Sequence, residues 1–263
     1  MNDDAATEET PPHGIEEAGE NVVVQKQNTL WTLLAAIALI WACSLVIQIG
    51  AALILVAIEY IRTGKLADPT ESMNFLLVLT YVDWSCALAI AFYFACTRVR
   101  KPFREAFALK PISLKVAIQS LAIGIAGSLA AAFLLSWFGT GEAPIYDIAM
   151  KEKDGVAGMA IPFILLAVLV PPLEELYYRG FIFPILRSRL SPLWAIAIVA
   201  LWFGLLHVAQ LWGEWVGVVI VVILGTIWTF QRHRYDSLYP SIISHWTYNI
   251  FVVATQAFAM RLQ

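Results

Sequence analysis

Six stretches of this chain contain no Asp, Glu, Lys or Arg: 27–58, 116–141, 155–173, 190–213, 215–231 and 237–260. Between Met73 and Thr97 the sole charge is Asp83. Backbone can cross hydrocarbon only when its own hydrogen bonds are closed, and a spanning helix takes about 20 mostly apolar residues. The period-two alternation of a membrane barrel strand is absent. The runs therefore predict an all-α integral membrane protein. Its architecture is a polytopic bundle of about seven transmembrane helices (six to eight), near 30–59, 74–97, 116–138, 157–187, 192–212, 215–231 and 240–260. Composition agrees: 14% of residues are charged, against about 25% in a soluble domain.

Residues 1–27 are polar and acidic, carry Pro11 and Pro12, and lack a basic start. They read as a disordered cytoplasmic tail rather than a signal peptide, followed by a single transmembrane domain over 28–263. Cys43, Cys86 and Cys96 all fall in predicted spans and suggest no disulfide framework. No basic stripe interleaved with aromatics is present, which speaks against nucleic-acid binding.

With the N-terminus placed in the cytoplasm, Arg62, Lys65, Lys151, Lys153 and Arg261 fall outside, and the other twelve of the 17 Lys and Arg fall inside, Arg179 among them. The positive-inside rule thus favours a cytoplasmic N-terminus.

Polar groups within apolar spans are costly and call for a reason. Three clusters stand out. In Glu174-Glu175-Leu176-Tyr177-Tyr178-Arg179, after Pro171-Pro172, Glu175 and Arg179 are four apart and can pair on one helix face. Glu174 is left without a partner in its own helix, and such a carboxylate can take up and return protons. Phe203-Gly204-Leu205-Leu206-His207 places an imidazole deep in the fifth span. His245 and Asn249, again four apart, share a face of the last span. Imidazole and carboxamide there can bind a metal or donate hydrogen bonds to a developing oxyanion. Each cluster also has a plainer reading: a solvated helix end for the first, hydrogen bonding between helices for the others. Glu174 is expected near the end of the fourth span and His207 past the middle of the fifth. A break at Pro171-Pro172 would bring them to one depth.

Taken in order, Glu-Glu-x-x-x-Arg at 174–179, Phe-x-x-x-His at 203–207 and His-x-x-x-Asn at 245–249 resemble the CAAX-protease and bacteriocin-processing (Abi) family of intramembrane proteases, which includes type II CAAX prenyl endopeptidases. The lead-in Ser237–Ser244 resembles it too, and the likeness covers 170–250. It implies a helical membrane peptidase domain in which Glu174 and His207 activate water. His245 and Asn249 would stabilise the oxyanion, and Glu175, Arg179 and Phe203 would support the site. If a divalent metal such as zinc is used, Glu174, His207 and His245 would be its ligands, although His-Glu-x-x-His is absent. The implied partners are the lipid bilayer and a peptide or protein substrate, prenylated or bacteriocin-like, and the implied location is a bacterial plasma membrane.

Three other functions compete. Asp83, Glu174 and the histidines could relay protons in a transporter. His207 and His245 could ligate haem. A member without catalysis could act in immunity or scaffolding.

Overall fold

The computed structural model describes residues 13–66, 87–90, 92–93, 102–140 and 165–260. The helices are α1 (His13–Thr63), the short α2 (Phe103–Ala106), α3 (Leu114–Phe138), α4, α5 (Pro192–Leu206), α6 (Trp215–Tyr235) and α7 (Tyr239–Met260). α4 is composite: π-helix Leu165–Leu169, α-helix Val170–Glu175, π-helix Leu176–Ile182 and α-helix Phe183–Arg187. No strand occurs among the described residues.

Among the described residues, three helices are long and apolar enough to cross a membrane: Ile37–Thr63 within α1, Leu114–Phe138 and Trp215–Tyr235. α5 is apolar but shorter. The expected seven spans are therefore met by three. The helices that fall short are informative. α4 is divided into short stretches, and α7 spends its length on Ser241, Ser244, His245, Thr247 and Asn249. Most of the expected span 74–97, with Asp83, lies outside the described residues.

Two boundaries differ from the sequence reading. α1 begins at His13, inside the 1–27 segment that the sequence sets apart from the membrane domain. Past Pro12 come Glu16, Glu17, Ala18 and Glu20, all good helix formers, and proline is tolerated just before a helix start. At the other boundary, α5 ends at Leu206, and 207–213 continue as turns. The side chain of His207 takes part in this ending. Its Nδ1 lies 2.7 Å from the carbonyl oxygen of Phe203, the acceptor its own N–H would use in a continuing helix. The His207 N–H bonds Gly204 instead, at 3.0 Å.

α3 and α7 pack closely. The buried positions of α3 are Ser120, Gly124, Ser128 and Ala131, a stripe of small residues along one face. A Cβ on Gly124 would lie 2.5 Å from the Ser244 carbonyl oxygen and 2.6 Å from the Thr247 Cβ. Small residues let helix backbones approach where lipid provides no hydrophobic drive. Ser244 adds a hydrogen bond from its hydroxyl to the Ser120 carbonyl, 2.9 Å.

Charges collect at one end of the bundle. Lys110, before α3, and Arg232, at the end of α6, both pair with Asp236. A cavity there is lined by Arg187 and Arg232. The same residues were assigned to one side by the positive-inside count. Arg179 is the exception: it is wholly buried in the bundle and belongs to no loop. Removing it from the count leaves the asymmetry standing.

Candidate active site

Proline shapes α4 locally. Pro172 has no N–H, so the carbonyl of Val168, four residues earlier, loses its helical donor. The Val168 carbonyl instead accepts from the indole N–H of Trp246 on α7. The helix widens into a π-turn at Leu165–Leu169 and then continues, so the proline pair does not break it. The depth mismatch expected from sequence disappears by another route. α4 and α5 run out of one tight turn at 188–191. Glu174 lies thirteen residues before Arg187 and His207 fifteen after Pro192. At about 1.5 Å per residue both sit roughly 20 Å from that turn.

The centre of the site is Glu175, whose Oε1 accepts from Arg179 Nη1 at 2.8 Å and from His245 Nδ1 at 2.9 Å. Both Glu175 and Arg179 are fully buried, as the i, i+4 spacing anticipated. Arg179 also donates from Nε to the Thr229 hydroxyl and from Nη2 to the Gly225 carbonyl, each at 3.1 Å. Its guanidinium carbon lies 4.6 Å from the centre of the Phe203 ring and 5.7 Å from those of Tyr178 and Trp228. This buried cation thus has three hydrogen bonds and an aromatic enclosure in exchange for water.

His245 is fixed on three sides. Trp228 stacks on it, with ring centres 3.9 Å apart and planes 17° from parallel. The Phe203 ring meets it edge-on at 5.9 Å. Glu175 holds Nδ1, and the other nitrogen, Nε2, lies 3.6 Å from Glu174 Oε2. That separation is longer than a direct hydrogen bond.

His207 is half-buried and joins the group through Phe203, whose ring centre is 4.6 Å from its own. The Phe203 carbonyl can only accept, so Nδ1 of His207 carries the proton and a neutral ring keeps the lone pair on Nε2. No ion pair links His207 to Glu174 among the described residues. Asn249 follows His245 by one turn of α7 and is half-buried.

The structure thus brings Glu174, Glu175, Arg179, Phe203 and His245 into direct contact, with His207 against Phe203. It also adds Trp228, Thr229 and Gly225 of α6, a helix in which the sequence reading found no site residue. The available signal was a glycine and a threonine four residues apart, flanking Trp228, inside an apolar run. Among the described residues, no group of three or more His, Cys, Asp or Glu is arranged to hold a metal ion. Glu174, His207 and His245 do not form such a cage. The single Phe203 ring lies against both imidazoles, occupying space that a porphyrin between them would need.

Residues 157–251 match the family model described as type II CAAX prenyl endopeptidase Rce1-like. The matched segment contains all three motifs, the whole of α4, α5 and α6, and the first half of α7. No curated protein and no solved structure gives a significant match. The resemblance read from the motifs is borne out over this segment, which is similar to a family of CAAX-type intramembrane endopeptidases. That similarity and the apolar helices identify an integral membrane protein.

Proposed function

We propose that this chain is an intramembrane endopeptidase that hydrolyses peptide bonds of membrane-associated substrates, with prenylated CAAX-type or bacteriocin-like peptides as the substrate class. The observation that carries this reading is the cluster in which a buried Glu174 faces His245 across 3.6 Å while Glu175 and Arg179 lock the opposite edge of the imidazole. The roles follow from the chemistry. Glu174 takes one proton from a water that the Nε2 lone pair of His207 orients, the water oxygen bonds to the carbonyl carbon, and Glu174 returns that proton to the amine nitrogen as the C–N bond breaks. His245, its Nδ1–H held by Glu175, turns Nε2 toward the reacting centre beside the oxyanion. Asn249 supplies a donor to that oxyanion. Glu175, Arg179 and Phe203 keep the imidazole oriented and touch no substrate. The basic end of the bundle faces the cytoplasm by the positive-inside rule.

The test uses detergent-purified protein and a panel of prenylated peptides, with Glu174→Gln beside wild type. Loss of a general base lowers the rate by about 10²–10⁴-fold, with the variant still folded by thermal melting. His207→Ala should fall comparably. A parallel arm with EDTA tests the divalent-metal reading: a rate lost to chelator and restored by zinc would make Glu174, His207 and His245 the candidate ligands. Full cleavage by a folded Glu174→Gln protein would overturn the assignment.

A further inference from the structure

At the basic end of the bundle, away from Glu174 and the imidazoles, Phe183, Pro184, Arg187, Ser188, Arg232 and His233, together with Asp236, enclose a cavity of about 290 Å³. Two guanidiniums and an imidazole line it against one carboxylate. That carboxylate is engaged, because Asp236 pairs with Lys110 and with Arg232 Nη1. The cavity therefore carries an excess of cationic donors.

Arg232 is the informative residue. Its side chain is 9% exposed, yet its Nε is buried and has no hydrogen-bond partner. The Nε lies behind the cavity wall, and the guanidinium is held in place by its Nη1 bond to Asp236. Arg187 stands across the cavity, exposed, with only its Nη1 engaged by the Leu190 carbonyl at 3.0 Å. His233 packs edge-on against Phe183, ring centres 6.3 Å apart, which leaves its polar edge available.

We infer that this cavity binds a phosphate group, that of an anionic lipid headgroup. Arginine pairs suit phosphate because their planar donors match its oxygens. The lipid source follows from position. The cavity lies at the polar end of α4 and α6, lined by Arg187 in the last turn of α4 and by Arg232 and His233 in the last turn of α6, and these helices also carry the exposed apolar residues Leu169, Val219, Ile223 and Phe230. This places it at headgroup level, where basic pockets between helices collect anionic lipids.

The experiment reconstitutes the full chain in phosphatidylcholine nanodiscs with increasing phosphatidylglycerol and counts retained phosphatidylglycerol by native mass spectrometry. Arg187→Gln is compared with Arg234→Gln, which removes the same charge from an exposed position outside the cavity. Retention by Arg187→Gln should weaken about fivefold, as expected for one basic residue at the membrane surface, and by Arg234→Gln much less. His233→Gln, also at an exposed position, should weaken retention without affecting folding. Equal losses in Arg187→Gln and Arg234→Gln would reduce the effect to general surface charge and overturn the site. A parallel arm adds inorganic phosphate to the detergent-solubilised protein. Thermal protection there equal to that given by phosphatidylglycerol would overturn the lipid as the source. Lipid retention is read without peptide cleavage, so this result and the peptidase assay can fail separately.

Discussion

α1 and α6 are both apolar helices long enough to cross a bilayer, yet they do opposite work. The spanning window of α1 is 0% buried within the structure, whereas that of α6 is 50% buried. α1 shows Val46, Leu53 and Ile54 outward, each more than half exposed. α6 turns Gly217, Gly225, Trp228, Thr229 and Gln231 inward. Hydropathy alone treats the two alike, because lipid and protein interior are equally apolar. What separates them is the set of small and polar side chains that only a protein neighbour can use: Gly225 and Thr229 on Arg179, and Gln231 on Ser120.

The sharpest way to break this comparison is to remove the buried charge that α6 serves. Arg179→Met leaves the Glu175 carboxylate in the core without its arginine, and loss of one member of a buried pair costs about 3–5 kcal/mol. The melting temperature in detergent should fall sharply. The double variant Glu175→Leu, Arg179→Met should recover most of that stability while remaining inactive, since no acceptor at 175 then holds Nδ1 of His245. A single variant as stable as wild type would mean that the enclosure around Arg179 contributes little.

Next in size is the contact between α3 and α7. Gly124→Val forces a branched side chain against the Ser244 carbonyl and the Thr247 Cβ, and overpacking of this kind costs about 1–3 kcal/mol. Ala at Ile118, which is 55% exposed on the same helix, is the matched control and should melt with the wild type. If both variants melt together, the small-residue stripe of α3 is not a packing face.

These contrasts show how much the sequence revealed. Uncharged runs located the apolar helices because the bilayer constrains composition directly. The spacing of Glu175 and Arg179 gave a real ion pair because i, i+4 geometry is local. The bond from His245 to Glu175 spans 70 residues and could not be read from spacing, so the sequence paired His245 with Asn249 instead. Trp228 and Thr229 escaped notice because an indole and a hydroxyl in an apolar run look like membrane residues until the guanidinium they surround is seen. The end of α5 was missed for a local reason, namely that the His207 side chain takes the Phe203 carbonyl from its own backbone.

A smaller effect distinguishes the polar end of α6 from its buried middle. The hydrogen bond from Lys110 holds the Asp236 carboxyl below the usual carboxylate range, aided by Arg232 and opposed by partial burial. A depressed folded-state value means the charged form is the stabilising one. Its contribution is complete above the ordinary carboxylate range and is lost as pH falls through the lower folded value. Asp236 is 69% exposed at its side chain, so screening limits the contribution to about 0–1 kcal/mol. Asp236→Asn should melt slightly below wild type at neutral pH, and the gap should close on acidification through the lowered folded-state value. A gap that persists in acid would assign the loss to the turn, where Asp236 has a φ of +45°, rather than to charge.

The smallest effect is expected where the comparison began. Val46→Ala and Ile54→Ala shorten side chains of α1 that are 70% and 61% exposed, so they open no cavity and leave no partner unsatisfied. Substitutions of this kind usually stay within about 0.5 kcal/mol. In a bilayer the removed methyl groups exchange only lipid contacts, and a fall in insertion efficiency should be the sole consequence, read as less protein in the membrane fraction at unchanged melting temperature. On α6, Leu224→Ala removes a core side chain that is 4% exposed, and such truncations cost about 2–5 kcal/mol. A melting temperature lowered as much by Val46→Ala as by Leu224→Ala would show that α1 has a protein neighbour on that face, and the two helices would then differ in partner rather than in solvent.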